Sequence, residues 1–300
     1  MKQRAHGEVA RVEEEVCKYK YPDRWSQPGS ASRTKQDIMP HFLKLLDHSR
    51  RNRRTVGLAN SALHVLEISS GFGEHICHFA HQSQLPDAAS TAAVHHDASR
   101  HTTFQPTEAD EYLCQSIDRL VEQSRTSNIF PAIQLELTNA TEWAQLRNAT
   151  TQRRKGEAAE TGLALFDIVL CFNIIHIAPW HVAESIFAQL GQEISSDSVS
   201  FGSGTHQQPM PKSFLAPGGL LVLYGAFKEN GKHTSEGNSQ FDQVLKGRNT
   251  DYGLRDLTLE VVPLASSNGF ELIQTTSLRA GNLLLVFRKK LEDGRAYATR

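Results

Sequence analysis

Apolar residues along this 300-residue chain fall into short runs separated by amphipathic stretches. That alternation predicts a mostly parallel sheet with helices on both faces. Ile38, Phe42, Leu45 and Leu46 recur at helical spacing and predict a packed helix over about 36–49. His64–Ile68 reads as a strand that ends in the turn Ser69-Ser-Gly-Phe-Gly73, with a helix from Glu74. A short strand follows at Thr102–Gln105, stopping at Pro106, and Tyr112, Leu113, Ile117, Leu120 and Val121 mark the next helix. Ala132–Leu137 predicts a third strand, and Asn139 with Glu142 a capping box for the helix around Trp143.

Phe166–Phe172 is the most hydrophobic strand candidate and predicts the centre of the sheet; Val182, Ile186, Phe187 and Leu190 then mark a helix. Gly218-Gly219 lead into a strand over Leu220–Tyr224. The last two strands, Phe270–Thr275 and Asn282–Arg288, are joined by too few residues for a crossover helix, so they should run antiparallel. The organisation expected is an N-terminal arm (1–20), one domain (21–290) with insertions near 83–101 and 192–214, and a C-terminal tail (291–300).

Composition removes several function classes. Lys plus Arg (32) nearly balances Asp plus Glu (33), so no overall field favours nucleic acid or an acidic membrane. The run Arg50, Arg51, Arg53, Arg54 reads as a solvated helix C-terminus, where cations complement the macrodipole. No stretch has the apolar length of a membrane span, and the charged N-terminus lacks the apolar run of a secretory signal, which predicts a cytoplasmic protein. Cys17, Cys77, Cys114 and Cys171 stand far apart, as expected of reduced thiols. His75, His78 and His81 have no evident carboxylate partner, so no metal is expected.

In a doubly wound sheet a ligand sits where the first strand turns into its helix, here Glu67-Ile-Ser-Ser-Gly71-Phe-Gly73. Glycines let the backbone approach a bound nucleoside. An acid at the head of the turn would repel a pyrophosphate and welcome a sulfonium or an ammonium group, which points to S-adenosylmethionine rather than a dinucleotide.

Glu67-Ile-Ser-Ser-Gly-Phe-Gly-Glu-His75, Asp167-Ile-Val-Leu-Cys-Phe-Asn-Ile-Ile-His-Ile-Ala-Pro-Trp180 and Gly218-Gly-Leu-Leu-Val-Leu-Tyr-Gly-Ala-Phe227 resemble the methyltransferase-like protein 26 group, a branch of the class I S-adenosylmethionine-dependent methyltransferases. The resemblance continues through His233–Asn238, Phe241-Asp242 and Tyr252–Asp256, covering roughly residues 20–290. It implies a Rossmann-like, doubly wound, seven-stranded sheet with an antiparallel last strand, and a methyltransferase acting on a small molecule by O- or N-methylation. An alternative is a cofactor-binding module of the same fold without methyl transfer.

The resemblance places Glu67, Ser69, Gly71 and Gly73 around the methionine moiety, Ser69 standing where many relatives have a glycine. Glu108, in Gln-Pro-Thr-Glu, aligns with a family aspartate and would take the ribose hydroxyls; Asp97 competes on distance from the glycines, and Glu108 is favoured. Glu136 stands for a family aspartate near the adenine amino group. Asn173 and His176 fall where relatives contact cofactor and acceptor, with His176 the candidate base because imidazole titrates near neutrality. Arg33, Trp180, Tyr224, His233, Asn238 and Asp242 are the candidate acceptor-side residues.

Overall fold

The computed structural model describes residues 29, 31–32, 34–55, 61–84, 101–153, 166–192 and 213–290. The arm, the tail, most of both expected insertions, Arg33 and Asp97 lie outside the described residues.

The elements in chain order are α1 (Thr34–Thr55), β1 (Leu63–Ile68), α2 (Glu74–Ser83), β2 (Thr102–Glu108), α3 (Glu111–Ser124), β3 (Ile133–Gln134), α4 (Ala140–Arg153), β4 (Phe166–Phe172), α5 (Trp180–Gly191) and β5 (Leu215–Ala226). A small hairpin, β6 (Lys228–Glu229) and β7 (Lys232–His233), precedes α6 (Glu236–Arg248). A π-helical turn (Leu257–Val261), α7 (Val262–Ser267), β8 (Phe270–Ser277) and β9 (Asn282–Lys289) close the chain. The seven-stranded sheet has the order β3-β2-β1-β4-β5-β9-β8. β1, β2, β3, β4 and β5 pair in parallel, while β9 runs antiparallel to both β5 and β8. The expected fold class, a doubly wound and mostly parallel sheet with an antiparallel last strand, is thus the observed one.

Period-2 alternation explains why the central strands are buried throughout. Leu66, Ile68, Val169, Cys171, Leu221 and Leu223 face one apolar layer with Ile186 and Phe187 of α5. Val65, Ile168, Leu170, Val222 and Tyr224 face the other, with Phe42 of α1 and Phe79 of α2. Phe42 and Phe79 stack at 4.7 Å between ring centroids, pinning α1 to α2.

Three expectations change at the element ends. The first helix runs on to Thr55, so the arginine run is its last turns, and Arg53 is not solvated: it forms a two-pronged pair with Asp167 (Nε to Oδ1 2.6 Å, Nη2 to Oδ2 2.8 Å). β2 does not stop at Pro106 but continues to Glu108. Pro106 has no N–H to donate, and the Glu67 carbonyl beside it accepts from the hydroxyls of Thr107 (2.9 Å) and Ser70 (3.3 Å). The third strand shortens to an edge pair, Ile133–Gln134, because its neighbour β2 ends there. The capping group at α4 forms: Asn139 Oδ1 accepts from the backbone N–H of Thr141 (3.0 Å) and Glu142 (3.4 Å), and Asn139 Nδ2 donates to the Glu142 carboxylate (2.9 Å).

Candidate functional site

The strand order reverses between β1 and β4, and a crevice opens there at the carboxyl ends of the strands. It forms a cavity of about 820 Å³, within the size range of small-molecule and cofactor sites. Its walls come from the ends of four strands: Ser69–Phe72 after β1, Glu108 and Asp110 at and after the end of β2, Asn173–Ile174 with His176–Ile177 after β4, and Ala226 at the end of β5. Asn238 and Phe241 of α6, with Ala280 and Asn282 before β9, close the far side.

The glycine turn is held from both sides. Ser70 N donates to Thr107 O (2.9 Å), Gly71 N to Glu108 Oε2 (2.8 Å), and Gly73 N to Ser70 O (2.9 Å). Ser69 sits at φ 55°, the left-handed conformation that glycine adopts most cheaply. Asn173, facing it from the end of β4, sits at φ 58°, a region that asparagine tolerates. Two non-glycine residues at positive φ, just beyond the ends of neighbouring strands and both on one cavity, are the kind of backbone feature that concentrates at functional sites. Gly73 lines the turn's far side rather than the cavity: at φ 75° it precedes α2, where a Cβ would come within 3.1 Å of Ile117.

Electrostatics depart from the expectation at two residues. Glu67 is buried at the end of β1, and its Oε2 has no hydrogen-bond partner. Burial, with a contribution from Glu108, pushes its carboxyl up to about 8, so at neutral pH it carries a proton instead of the expected negative charge. His176 lines the cavity with its ring edge-on to Phe241 (5.4 Å between centroids). Burial, with Arg255 nearby, pulls it down to about 4, so the imidazole stays neutral and is a weaker base than one titrating near 7.

Glu108 stands where a ribose-binding acid was expected. Its two oxygens accept from Gly71 N and Ala109 N (2.9 Å). Ser69, Gly71, Asn173 and Asn238 also lie on the cavity. The remaining candidates lie elsewhere. Glu136 is exposed, and its carboxylate turns back to Thr138 (3.2 Å), its extra methylene letting it close a local turn. Tyr224 points into the α1–α2 layer, as its strand alternation requires, with its hydroxyl hydrogen-bonded to Asn282. Trp180 packs at the start of α5 beneath the Arg255 guanidinium (5.6 Å). His233 and Asp242 bind each other (3.0 Å), and Asp242 also accepts from Lys246 (2.6 Å) and Leu254 N (2.7 Å), so they tie α6 to the following loop.

Residues that sequence reasoning missed include Glu74 and His75, which line the cavity just after the glycine turn. Glu74 accepts from Gly29 N and from Ser32 Oγ (3.3 Å), and His75 Nε2 bonds Thr34 Oγ1 (2.9 Å), so the start of the described chain is tied to the rim. Burial pulls His75 down to about 3. Phe241 was overlooked beside Asp242, although i, i+3 spacing puts it on the face of Asn238. Arg255 donates to the carbonyls of Ala178 (2.8 Å) and Ile175 (3.4 Å) and so clamps the turn that carries Asn173 and His176. Asn282 carried no sequence signal.

The profile of the family described as "Protein of unknown function (DUF938)" matches residues 47–209 and 210–289. Among solved structures, the mitomycin 7-O-methyltransferase MmcR is similar at 10% identity and a TM-score of 0.47, with 81% of this chain and 53% of that one covered. The S-adenosylmethionine-dependent methyltransferase SibL, in its apo form, is similar at 10% identity and a TM-score of 0.45, with 76% and 51% covered. The pyocyanin biosynthetic protein PhzM is similar at 13% identity and a TM-score of 0.47, with 90% and 61% covered. The chain thus spans about half to three-fifths of the length of these proteins. No helix among the described residues is long and apolar enough to cross a membrane.

Proposed function

The chain belongs to the DUF938 family, and we propose that it is an S-adenosylmethionine-dependent methyltransferase acting on a small molecule by O- or N-methylation. The observation that carries this reading is the cavity at the β1/β4 switch point, walled by a glycine turn on one side and Asn173 on the other, with Glu108 at the rim. The resemblance to the methyltransferase-like protein 26 group adds support.

The residues present suit the cofactor. Backbone at Ser69 and Gly71 lines the cavity, Glu108 stands on its rim at the end of β2, and Glu67, off the cavity wall, is buried beneath the turn with Oε2 unpartnered. A cationic amino-acid headgroup near Glu67 would favour its ionised form, drawing it back toward the charge that burial suppresses. Bound there, S-adenosylmethionine would supply a methyl group activated by a sulfonium. The chain's part is to orient: rate acceleration in such a site comes mainly from alignment, with proton removal needed only for a hydroxyl acceptor.

Isothermal titration of the full chain with S-adenosylhomocysteine should give saturable heat. Gly71→Val, which puts a branched side chain at φ 58° against the ligand, should remove it while the circular dichroism spectrum stays unchanged. Absence of heat from the folded wild-type chain would sink the reading. A second reading, cofactor binding without methyl transfer, is supported by the depressed His176, which leaves a weak base at the position expected of one. Labelled S-adenosylmethionine that is bound but never consumed over a metabolite extract would favour it.

A further inference from the structure

The far half of the cavity has a chemistry of its own. The side chains there are Asn238, Asn282, His176, Phe241 and Ile177. Asn238 Nδ2 donates to Thr234 Oγ1 (2.7 Å) and to the Gly281 carbonyl (2.9 Å). A carbonyl only accepts, so the amide cannot be flipped, and Oδ1 is the group Asn238 has left to offer. Asn282 Nδ2 donates to the Tyr224 hydroxyl (3.0 Å), which leaves its Oδ1 as the other polar atom it offers. Phe241 and Ile177 supply flat apolar wall between them. The charged residues among the described lining of the whole cavity are Glu74, Glu108 and Asp110, all acids, and no Lys or Arg is among them. Burial keeps His75 and His176 neutral, so neither imidazole offsets this.

We propose that this half admits an uncharged molecule that presents an O–H or N–H donor to Asn238 and Asn282 from an aromatic or apolar body, and that it rejects carboxylates and phosphates. The inference rests on the reading of the glycine-turn half as the adenosyl site. Two amide oxygens on the wall of one cavity reward a donor and disfavour an anion, because no Lys or Arg is on the described lining and Arg255, behind His176, is committed to the carbonyls of Ile175, Ala178 and Asp251. An acceptor of this class also matches the neutral imidazole of His176, which can share a hydrogen bond with a phenol or an amine without first losing a proton.

The test is ligand-observed saturation-transfer NMR on the full chain saturated with S-adenosylhomocysteine. The probes are phenol, aniline and benzyl alcohol, against anisole, which lacks the donor, and benzoate and phenyl phosphate, which carry charge. Phenol, aniline and benzyl alcohol should bind, anisole about three- to tenfold more weakly for want of one hydrogen bond, and the two anions more weakly still. Asn238→Ala and Asn282→Ala should each weaken phenol by a similar about three- to tenfold while leaving the S-adenosylhomocysteine heat in place. Should Asn238→Ala fail to fold, having lost its bonds to Thr234 and Gly281, Asn282→Ala carries the test alone.

Anions binding as well as phenol, anisole equalling phenol, no binding by any probe, or phenol binding indifferent to Asn282 would each overturn the inference. The cofactor reading fails separately, through absent S-adenosylhomocysteine heat with the probe selectivity retained on the chain alone.

Discussion

Glu67 and Asp167 are buried acids on neighbouring parallel strands, 2% and 4% exposed, yet they live in opposite circumstances. Asp167, near the amino end of β4, accepts from Arg53 Nε and Nη2 and from His64 N (2.8 Å), so its desolvated charge is fully met. Glu67, at the carboxyl end of β1, keeps an oxygen without a partner and holds its proton up to about pH 8. One end of the sheet is stitched together by a charge network between α1, β1 and β4. The other end leaves a buried carboxyl oxygen unpartnered beneath the glycine turn that walls the cavity, though Glu67 itself is not on the cavity wall. An unsatisfied buried polar group calls for an explanation in a way a satisfied one does not.

The sharpest way to break this contrast is Arg53→Ala. Orphaning a buried charge typically costs about 3–5 kcal/mol, so the urea midpoint should fall steeply; a loss below about 1 kcal/mol would mean that solvent screens the pair and that the two ends do not differ as described. Next in size is the pH dependence of stability. Folded Glu67 holds its proton to about pH 8, whereas its ordinary value is 4.5, so the folded state binds more protons across that window and stability falls as pH rises through it. His75 and His176, pulled down to about 3 and 4, act in the opposite sense, their stability being lost as pH falls below 6.5. Between pH 6.5 and 8 Glu67 therefore acts without them, and the wild-type chain should lose roughly 2 kcal/mol there while Glu67→Gln loses little. Parallel denaturation curves for the two proteins across that range would refute the protonated Glu67.

The smallest effect belongs to a residue with both roles. Asp110 caps α3 by accepting from Tyr112 N (2.8 Å) and Leu113 N (3.4 Å), and it also lines the cavity. Asp110→Ala should cost about 1 kcal/mol of stability as a lost cap; a cost near zero in thermal unfolding would move Asp110 to the ligand's side of the ledger.

Much of the fold was legible from periodicity alone. The run at Phe166–Phe172, apolar but for Asp167, announced a central strand, and the short link before Asn282 announced the antiparallel reversal, because both depend on spacing along the chain. The same locality made the turn Ser69–Gly73 readable between its strand and helix, and Ser69–Phe72 line the cavity: a strand followed by glycines and a helix leaves few other conformations. Sequence reasoning failed at Tyr224, Trp180, His233 and Asp242, because a polar or aromatic residue next to a motif looks alike whether it faces a ligand or a neighbour. Strand alternation sends Tyr224 into the core, and pairing sends Asp242 to His233 and Lys246.

What the amino-acid order determined by itself was the succession of strands and helices, the antiparallel close and the position of the glycine turn, all consequences of short-range pattern. Tertiary structure alone decided the charge states of Glu67 and His176, since desolvation depends on what packs around a group and not on what precedes it. It alone also brought Asn238, Phe241 and Asn282 across the chain to face the glycine turn, because only the closed sheet makes residues more than 160 positions apart neighbours of one cavity.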